Sequence, residues 1–459
     1  MSLWDFIKEK MQKNPKQTIG ENDSFLTYEE LMISAERFSD YLTSEKICAI
    51  YCHSEFLTGI CVLACLAARV TAVPLSPRYG WQHTEKILQK CKPTCLITDL
   101  EGDIGIYHIT DSDCEFNRED LPAFIIWTSG TTGSPKGAML DEANILAVVK
   151  GISGYFRLTD DDSILISRPL YHIAVLTGEF ITALVKGTKI VFYSERFNPS
   201  DLFYIIKEKQ ITTFCSTPTL LSLMASFRKM NALTSVKYIT VSGECLNKPA
   251  AKMIRECFPN AKIFSGYGLT EAAPRVSVLP DGLFDSEPEC AGFPLPSVKL
   301  SVRDKEGKPM PFNTPGILWI KGDNVMRGYY KDDALTKEKM SNGWLCTGDI
   351  AVIDRNGKLY IKGRVDDLII RAGMNIYPRE IEAALKTDKR TKEVLVYGIK
   401  RKDSTDDIGM KISGTFGSVD EVRRLCVKLL PSFQVPTKID IVDDIPKNGS
   451  GKIIRRQYG

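Results

Sequence analysis

This sequence of 459 residues has few histidines, almost no net charge and no long apolar run. Only four histidines occur, and none is clustered with cysteines at a spacing that zinc sites use. Lysine and arginine number 60 against 57 aspartates and glutamates, which gives a net charge of +3. This balance argues against a nucleic-acid partner and against binding to an anionic membrane surface.

The most apolar stretch, residues 59–75, is interrupted by Arg69 and Pro74. It is shorter than the roughly 20 apolar residues that cross a bilayer, so we expect a buried helix followed by a strand, and no membrane span. The first ten residues carry charges where a secretory signal would have an apolar run. We therefore expect a cytoplasmic protein.

Thirteen cysteines are present, and some have the i,i+4 spacing of a helix face, such as Cys61 with Cys65 and Cys91 with Cys95. A metal site is one interpretation of such pairs. No C-x-x-C pair occurs, however, and cysteine in a reducing cytoplasm commonly behaves as a small buried apolar residue. We favour buried free thiols.

The chain is too long for one ordinary core, and its pattern predicts the α/β class. Apolar strand-like runs alternate with amphipathic stretches such as 202–209 and 249–257, which indicates parallel sheets covered by helices. The strand-like runs are residues 47–52, 70–75, 94–98, 124–128, 163–167, 189–192, 213–216 and 238–242. From about Leu295, shorter strands between polar turns predict a small antiparallel β region that ends near Gly363.

The last block of the chain has a different pattern. We predict a strand, a helix at 378–386, a strand at 394–399, a helix at 419–430 and an extended tail. The sequence therefore predicts a large N-terminal domain, 1–363, with two helix-covered sheets and the small β region. A small α+β C-terminal domain, 364–459, follows it.

A loop rich in glycine and hydroxyl groups, closed by Lys136, follows the strand-like run at 124–128. Glycines let backbone N–H groups approach phosphate oxygens, hydroxyls add donors, and the lysine adds positive charge. The G-x-x-x-x-G-K-[ST] order of a Walker A loop is absent. By composition alone, such a loop is more often an ordinary turn between a strand and a helix.

The whole string Thr-Ser-Gly-Thr-Thr-Gly-Ser-Pro-Lys-Gly at 128–137 resembles the phosphate-loop signature of the acyl-adenylate-forming superfamily. That superfamily includes acyl- and aryl-CoA synthetases, adenylation domains of nonribosomal peptide synthetases, and firefly luciferase. Further strings that resemble its signatures follow in the same order: SGYGLTE at 265–271, WLCTGD at 344–349, GRVDDLII at 363–370, NIYPREIE at 375–382 and PKNGSGK at 446–452.

The resemblance implies an AMP-forming acid–thiol ligase. A carboxylate would attack the α-phosphate of ATP, pyrophosphate would leave, and the acyl group would pass from the acyl-adenylate to the thiol of coenzyme A. Because two anions must approach each other, such a site needs Mg²⁺ and fixed cations. The alternative acceptor is the phosphopantetheine of a carrier protein, which the motifs do not separate from coenzyme A.

The resemblance also implies roles for individual residues. Glu271 would hold Mg²⁺ and Thr270 would contact the α-phosphate. Asp349, assisted by Arg364, would accept hydrogen bonds from the ribose hydroxyls, since a carboxylate offers acceptors only. Tyr267 would stack on adenine. The β- and γ-phosphates and the rest of the adenine pocket would be held by Thr128, Ser129, Thr131, Thr132, Lys136, Ser242, Gly243 and Glu244.

Two further residues belong to the domain that, by resemblance, moves between the half-reactions. Lys452 would bring a compact cation to the reacting carboxylate and α-phosphate. Asp366 would be the hinge about which the C-terminal domain turns to admit the thiol. In isolation, a lysine in a basic tail is more simply explained as solvated.

The segment at 168–178 matches the superfamily's Pro-x-x-His region, and His172 would close the acid pocket before adenylation. Amino-acid-activating domains place an aspartate there, and this segment has none, so we expect an aryl or alkyl acid and not an α-amino acid. The pocket would be apolar, lined by Ile173, Val175, Gly178, Ala272 and Ala273. Arg275 is unexpected beside it; we favour a solvent-facing side chain, and a second substrate carboxylate is the alternative.

The expected partners are therefore a small carboxylic acid and either coenzyme A or an acyl carrier protein. A homodimer is left open. A nucleotide-binding scaffold without turnover is the competing class of function, but loss of Lys452 or Glu271 would have indicated it, and both are present.

Overall fold

The computed structural model describes residues 1–100, 103–109, 116–128, 135–195, 197–226, 232–371, 374–400 and 406–446. Within these ranges, no helix is long and apolar enough to cross a membrane. The α/β class predicted from the sequence is confirmed, with helices and several sheets distributed along the chain.

The N-terminal part contains the helix expected in the most apolar stretch. Helix α3 begins after Ser54, whose hydroxyl accepts from the Leu57 N–H, is buried over most of its length, and ends at Arg69 in the left-handed conformation. The elements of this part are α1 (Leu3–Met11), β1 (Thr18–Glu21), β2 (Ser24–Thr27), α2 (Tyr28–Ser39), β3 (Ile47–Tyr51), α3 (Glu55–Ala68), β4 (Thr71–Pro74), α4 (Trp81–Cys91), β5 (Cys95–Leu100), β6 (Asp103–His108), β7 (Phe124–Thr128), β8 (Lys136–Leu140) and α5 (Glu142–Tyr155).

The middle part alternates strands and helices, as its periodicity predicts. Helix α10 is capped by Asn247, whose side chain accepts from the Ala250 N–H, and its apolar stripe faces the core. A π-helical segment, Leu176–Ile181, joins α6 to α7. The elements are β9 (Ser163–Ile166), α6 (Ile173–Val175), α7 (Thr182–Lys186), β10 (Lys189–Phe192), α8 (Pro199–Glu208), β11 (Thr213–Ser216), α9 (Pro218–Ser226), β12 (Tyr238–Ser242), α10 (Lys248–Cys257), β13 (Lys262–Gly268), β14 (Arg275–Leu279), α11 (Asp281–Phe284) and β15 (Phe293–Pro294).

The last part contains the predicted antiparallel region and strands that were not predicted, among them β25 and β26. In β25, Ile408, Met410 and Ile412 alternate with Gly409, Lys411 and Ser413, a local strand signal that the prediction did not use. The elements are β16 (Val298–Arg303), β17 (Gly316–Gly322), β18 (Gly328–Tyr329), α12 (Asp333–Lys339), β19 (Met340–Ser341), β20 (Trp344–Ile353), β21 (Leu359–Arg364), β22 (Ile369–Arg371), β23 (Met374–Ile376), α13 (Pro378–Leu385), β24 (Thr391–Lys400), β25 (Asp406–Gly414), α14 (Val419–Leu429) and β26 (Lys438–Ile441).

Two large sheets form the body of the molecule. One has the strand order β15-β14-β13-β12-β11-β9-β10-β1-β2, and the other has the order β18-β8-β7-β4-β3-β5-β6. Most neighbouring pairs in their interiors are parallel, whereas β13–β14, β7–β8 and β8–β18 are antiparallel. One continuous apolar cluster includes residues of both sheets and of α3 and α5, so the sheets share a core.

The residues after Arg364 have an apolar cluster of their own. It is built from β22 to β26, α13 and α14, and includes Ile376, Val394 and Met410. Strand β24 pairs antiparallel with β25, and β25 pairs parallel with β26. The boundary between residues 363 and 364 stays a prediction, to which this separate cluster lends support.

Candidate active site

A cleft of about 620 Å³ lies at the carboxyl ends of β7, β12 and β13, beside β20 and β21. Ligands of open α/β sheets bind at the carboxyl ends of their strands. Many residues predicted from separate parts of the sequence line this one cleft: Thr128, Lys136, Gly243, Glu244, Tyr267, Thr270, Glu271, Asp349, Arg364 and Asp366.

Asp349 is a carboxylate of the cleft that two side-chain donors hold in place. It is 7% exposed; its Oδ2 accepts from the Tyr267 hydroxyl at 2.5 Å, and its Oδ1 accepts from Nη1 of Arg364 at 3.1 Å. Arg364 is its neighbour because β21 pairs with β20 at that register. Burial, and next the Asp349 carboxylate, raise the pKa of Tyr267 well above its usual value, so this hydroxyl stays a donor. The acceptor is held rigidly before any ligand arrives.

Glu271 lies in the turn that follows β13. Its backbone carbonyl accepts from the Met326 N–H at 2.9 Å, and its Oε1 accepts from the Tyr329 hydroxyl at 2.8 Å. Tyr329 reaches this point because β18 pairs with β8. Burial, and next the Glu271 carboxylate, raise the pKa of Tyr329. Tyr329 was not predicted, and no signal in the sequence marked it.

The donor set around Glu271 fits a phosphate-bound Mg²⁺ and not a metal cage made only of protein. Among the described residues, no group of three histidine, cysteine, aspartate or glutamate side chains could hold a metal. Oε2 of Glu271 accepts no hydrogen bond from the described residues. One carboxylate, completed by phosphates and waters, is the arrangement that Mg²⁺ prefers.

The turn after β12 is fixed by a left-handed glycine. Gly243 has φ +95°, which favours glycine. The next residue, Glu244, accepts from the hydroxyl of Thr219 at 2.6 Å and from its N–H at 3.2 Å. Ser242 is buried and does not line the cleft. The turn therefore presents backbone and the neighbouring Glu244 to the cleft.

His172 lies outside the cleft lining, at the start of α6. Its Nε2 is 2.8 Å from the hydroxyl of Tyr79, a residue that was not predicted. The neighbouring Tyr171 donates its hydroxyl to the carbonyl of Trp127 at 2.6 Å. Since Trp127 precedes Thr128 at the end of β7, this bond ties the histidine segment to the start of the 128–137 loop.

Asp366 lies in a short turn, Val365–Asp367, between β21 and β22. Across this junction, Nζ of Lys362 is 3.1 Å from Oε1 of Glu380. Nη1 of Arg379 on α13 is 2.9 Å from Sγ of Cys245, so the last part of the chain contacts the cleft rim. The predicted residues Ser129, Thr131, Thr132 and Lys452 lie outside the described residues.

None of the five residues proposed for an apolar acid pocket lines the described cleft. The residues proposed for it are all buried: Ile173, Val175, Gly178, Ala272 and Ala273. Arg275 is only 4% exposed, so the solvent-facing orientation favoured from the sequence is wrong. Strand β14 returns antiparallel along β13, and this return directs Arg275 across β13.

Comparisons with known proteins agree with this geometry. Residues 7–330 match the family model described as "AMP-binding enzyme". The chain is 26% identical to a 2-succinylbenzoate–CoA ligase of Bacillus subtilis, over 99% of this chain and 97% of that protein. It is 28% identical to an oxalate–CoA ligase of Arabidopsis thaliana, over 86% and 84% respectively. The structure of O-succinylbenzoate coenzyme A synthetase from Bacillus subtilis with AMP matches at a TM-score of 0.86 and 25% identity, covering 100% of this chain and 98% of that one.

Proposed function

Because the chain belongs to the AMP-binding enzyme family, we propose that it joins a carboxylic acid to the thiol of coenzyme A in two ATP-dependent steps. The observation that carries the proposal is the single cleft in which Asp349, Tyr267 and Arg364 lie beside Glu271 and Lys136. The relatives that it matches over most of their length are named as CoA ligases. This favours coenzyme A over a carrier protein as the acceptor.

In the first step, a carboxylate oxygen of the acid attacks the α-phosphorus of ATP. The bond from that phosphorus to the bridging oxygen breaks, and pyrophosphate leaves with the electron pair. In the second step, the thiolate sulfur attacks the acyl carbon, and AMP leaves with the oxygen that came from the acid. Both steps build negative charge in the cleft, so fixed donors and cations lower the barrier.

Each wall of the cleft has a role in this proposal. Asp349, held by Tyr267 and Arg364, accepts hydrogen bonds from the ribose diol. Lys136 and Thr128, paired across β7 and β8, face the phosphates together with Ser129, Thr131 and Thr132.

The remaining roles concern the metal and the adenine. Glu271 would hold Mg²⁺, whose charge would offset the repulsion between the phosphates and the incoming carboxylate. Thr270, next to it, faces the α-phosphate. The adenine lies between Tyr267 and the turn at 242–244.

The C-terminal part supplies the mobile groups. Lys452 neutralises the charge that develops between the acid and the α-phosphate, and Asp366 is the hinge that lets the part after residue 363 turn for the second step. His172, hydrogen-bonded to Tyr79, closes the acid side of the cleft until the thiol arrives.

The test is ATP–pyrophosphate exchange against a panel of aryl, short-chain, medium-chain and dicarboxylic acids. We expect Mg²⁺-dependent exchange with at least one acid, and a loss of about 100-fold in Lys452→Ala, the size of effect seen when one charge-stabilising donor is removed. Lys447→Ala, in the same basic tail, is the matched control and should retain exchange. Undiminished exchange in Lys452→Ala would remove that lysine from its role.

The second half-reaction is measured separately. The purified acyl-adenylate is offered to free coenzyme A and to a holo carrier protein, and thioester is quantified. Asp366→Pro should retain exchange and lose thioester formation. Thioester on the carrier protein alone would replace coenzyme A as the acceptor.

A further inference from the structure

Arg275 does not itself line the cleft, but its guanidinium lies against a residue of the cleft wall, Gly266. A Cβ added to Gly266 would be 1.6 Å from its Nη1, and a Cβ added to Gly178 would be 3.8 Å from its Nη2. Gly266 itself lines the cleft. The guanidinium therefore occupies the space beside Gly266 that a side chain there would fill, next to the buried residues proposed for the acid pocket.

Within the described part of the protein the charge of Arg275 is only partly compensated, by a carboxyl group that it shares with Arg168. Its side chain forms no ion pair there, and its buried Nε has no hydrogen-bond partner. The nearby carboxylate, Glu179, is bound instead by Nη2 of Arg168 at 2.5 Å. Two guanidinium groups thus face one carboxyl group, and the local charge is positive whether or not Glu179 is ionised.

A second buried group beside Arg275 has a hydroxyl without an acceptor. The hydroxyl of Tyr155 has no hydrogen-bond acceptor among the described residues, although the tyrosine is close enough for the Arg275 charge to act on it. The ring of Tyr155 is held by Phe264 of β13, with ring centroids 5.2 Å apart. The guanidinium of Arg275 and the hydroxyl of Tyr155 are therefore close together and could bind the same ligand group.

A buried guanidinium cannot lose its proton, and leaving it without an anion costs several kcal/mol. We infer that Arg275 and Tyr155 form a subsite for an anionic group at the far end of the acid, so that the substrate is a dicarboxylic acid. One carboxylate is activated and the other is held by this subsite. The inference rests on the proposed function, since it concerns the acid side of the same cleft.

The subsite determines selectivity through binding. A diacid places a charge-assisted hydrogen bond on Arg275. An acid that lacks the second carboxylate leaves the guanidinium and the Tyr155 hydroxyl buried without acceptors, and sites built for a polar group reject such analogues strongly. Arg275 touches the non-reacting end of the substrate in this arrangement, so its loss acts mainly on KM.

The experiment compares matched pairs in ATP–pyrophosphate exchange by the full chain: aliphatic and aryl dicarboxylic acids, each beside its own monomethyl ester. We expect kcat/KM of the natural protein to be at least about 100-fold higher for the diacid. In Arg275→Met this ratio should fall below about 5-fold, with most of the change in KM, and Arg275→Lys should restore part of it because a point charge remains.

The matched control is Arg303→Met on β16, where an arginine stacks on Trp319 at 5.0 Å, away from the cleft. It should leave the ratio unchanged. A natural protein that uses esters as well as diacids, with a ratio that Arg275→Met does not alter, overturns the subsite and leaves the proposed function standing.

A binding measurement distinguishes a failure of the subsite from a failure of the proposed function. In the absence of ATP, the diacid should raise the thermal midpoint of the natural protein and not that of Arg275→Met, while MgATP should raise both. If no acid supports exchange but this difference is found, the subsite stands and the proposed function falls. If the diacid raises neither midpoint and supports no exchange, both fall.

Discussion

Asp349 and Arg275 are two buried charges on either side of strand β13, and the protein treats them differently. Asp349 is 7% exposed and accepts from two donors, Tyr267 and Arg364. Arg275 is 4% exposed, its Nε has no hydrogen-bond partner, and it forms no ion pair within the described residues. The charge of Asp349 is therefore paired without a ligand, whereas in our proposal the charge of Arg275 is paired by the substrate.

The difference indicates where affinity and selectivity arise. A carboxylate whose donors are already in place costs little reorganisation when a diol binds, which suits a cofactor that is the same in every turnover. A partly compensated cation instead penalises every acid that fails to neutralise it. The following predictions test this contrast, in order of decreasing effect.

Removal of the compensated carboxylate should have the largest effect. Asp349→Ala removes the carboxylate that both Tyr267 and Arg364 contact, and a hydrogen bond to a charged group is worth about 1.5–3 kcal/mol. We expect MgATP affinity, measured by calorimetry, to fall at least about 100-fold, and exchange activity to fall with it.

Tyr267→Phe is the milder companion of that variant. It keeps the carboxylate and the Arg364 contact and loses one hydrogen bond to a charged group, worth about 1.5–3 kcal/mol. Its affinity for MgATP should lie between those of the natural protein and Asp349→Ala. If Asp349→Ala binds MgATP normally, Asp349 does not serve the nucleotide.

Removal of the partly compensated cation should stabilise the protein. Replacing a buried charge by an apolar side chain of similar size often adds about 1–4 kcal/mol to the free energy of unfolding, and Arg275→Met should add about 2 kcal/mol. Denaturant unfolding without ligands measures this. A loss of stability in Arg275→Met, relative to Arg303→Met, would show that the charge is compensated within the protein.

Protonation of Glu179 should have the smallest effect. Burial raises the pKa of Glu179 to about 7, against the opposing charges of Arg168 and Arg275. The carboxyl is therefore neutral below that pH and negative above it. The other titratable neighbours stay neutral in this range, since burial raises the pKa of Cys215 to about 12 and raises that of Tyr155.

A negative Glu179 competes with the second carboxylate for the guanidinium charges. KM for the diacid should consequently rise a few-fold from pH 6 to pH 8, as expected for roughly 1 kcal/mol of Coulomb energy between partly screened charges. KM for a monomethyl ester should show no such rise. In Glu179→Gln the rise should disappear; a pH dependence that survives this change assigns it to another group.

The sequence predicted the body of the fold because its signals are local. Helix α3 and the strands β7, β10, β11 and β12 follow from apolar runs of a length and period that suit only one element each. Strand β25 was missed although Ile408, Met410 and Ile412 alternate with less apolar residues, which is a local strand signal. Tyr329 was missed because its place depends on β18 pairing with β8.

The residues of the candidate site also divide into those that a local string indicates and those whose orientation only the fold determines. The string at 265–271 is enough to indicate Tyr267, Thr270 and Glu271, and the fold brings these residues into one cleft with Asp349 and Arg364. The orientation of Arg275 was predicted incorrectly. An arginine after a turn usually faces water, and only the return of β14 along β13 directs it inward.

The sequence alone determined the class of fold, the order of its elements and the residue types available for an ATP-dependent acid activation, because periodicity and motif strings are local properties of the chain. The tertiary structure decided which charges are neutralised and which are not. Burial and charge pairing depend on residues that are distant in sequence and adjacent in space: Asp349 meets Tyr267 across 82 positions, and Arg275 is left without an ion pair because Glu179 is held by Arg168.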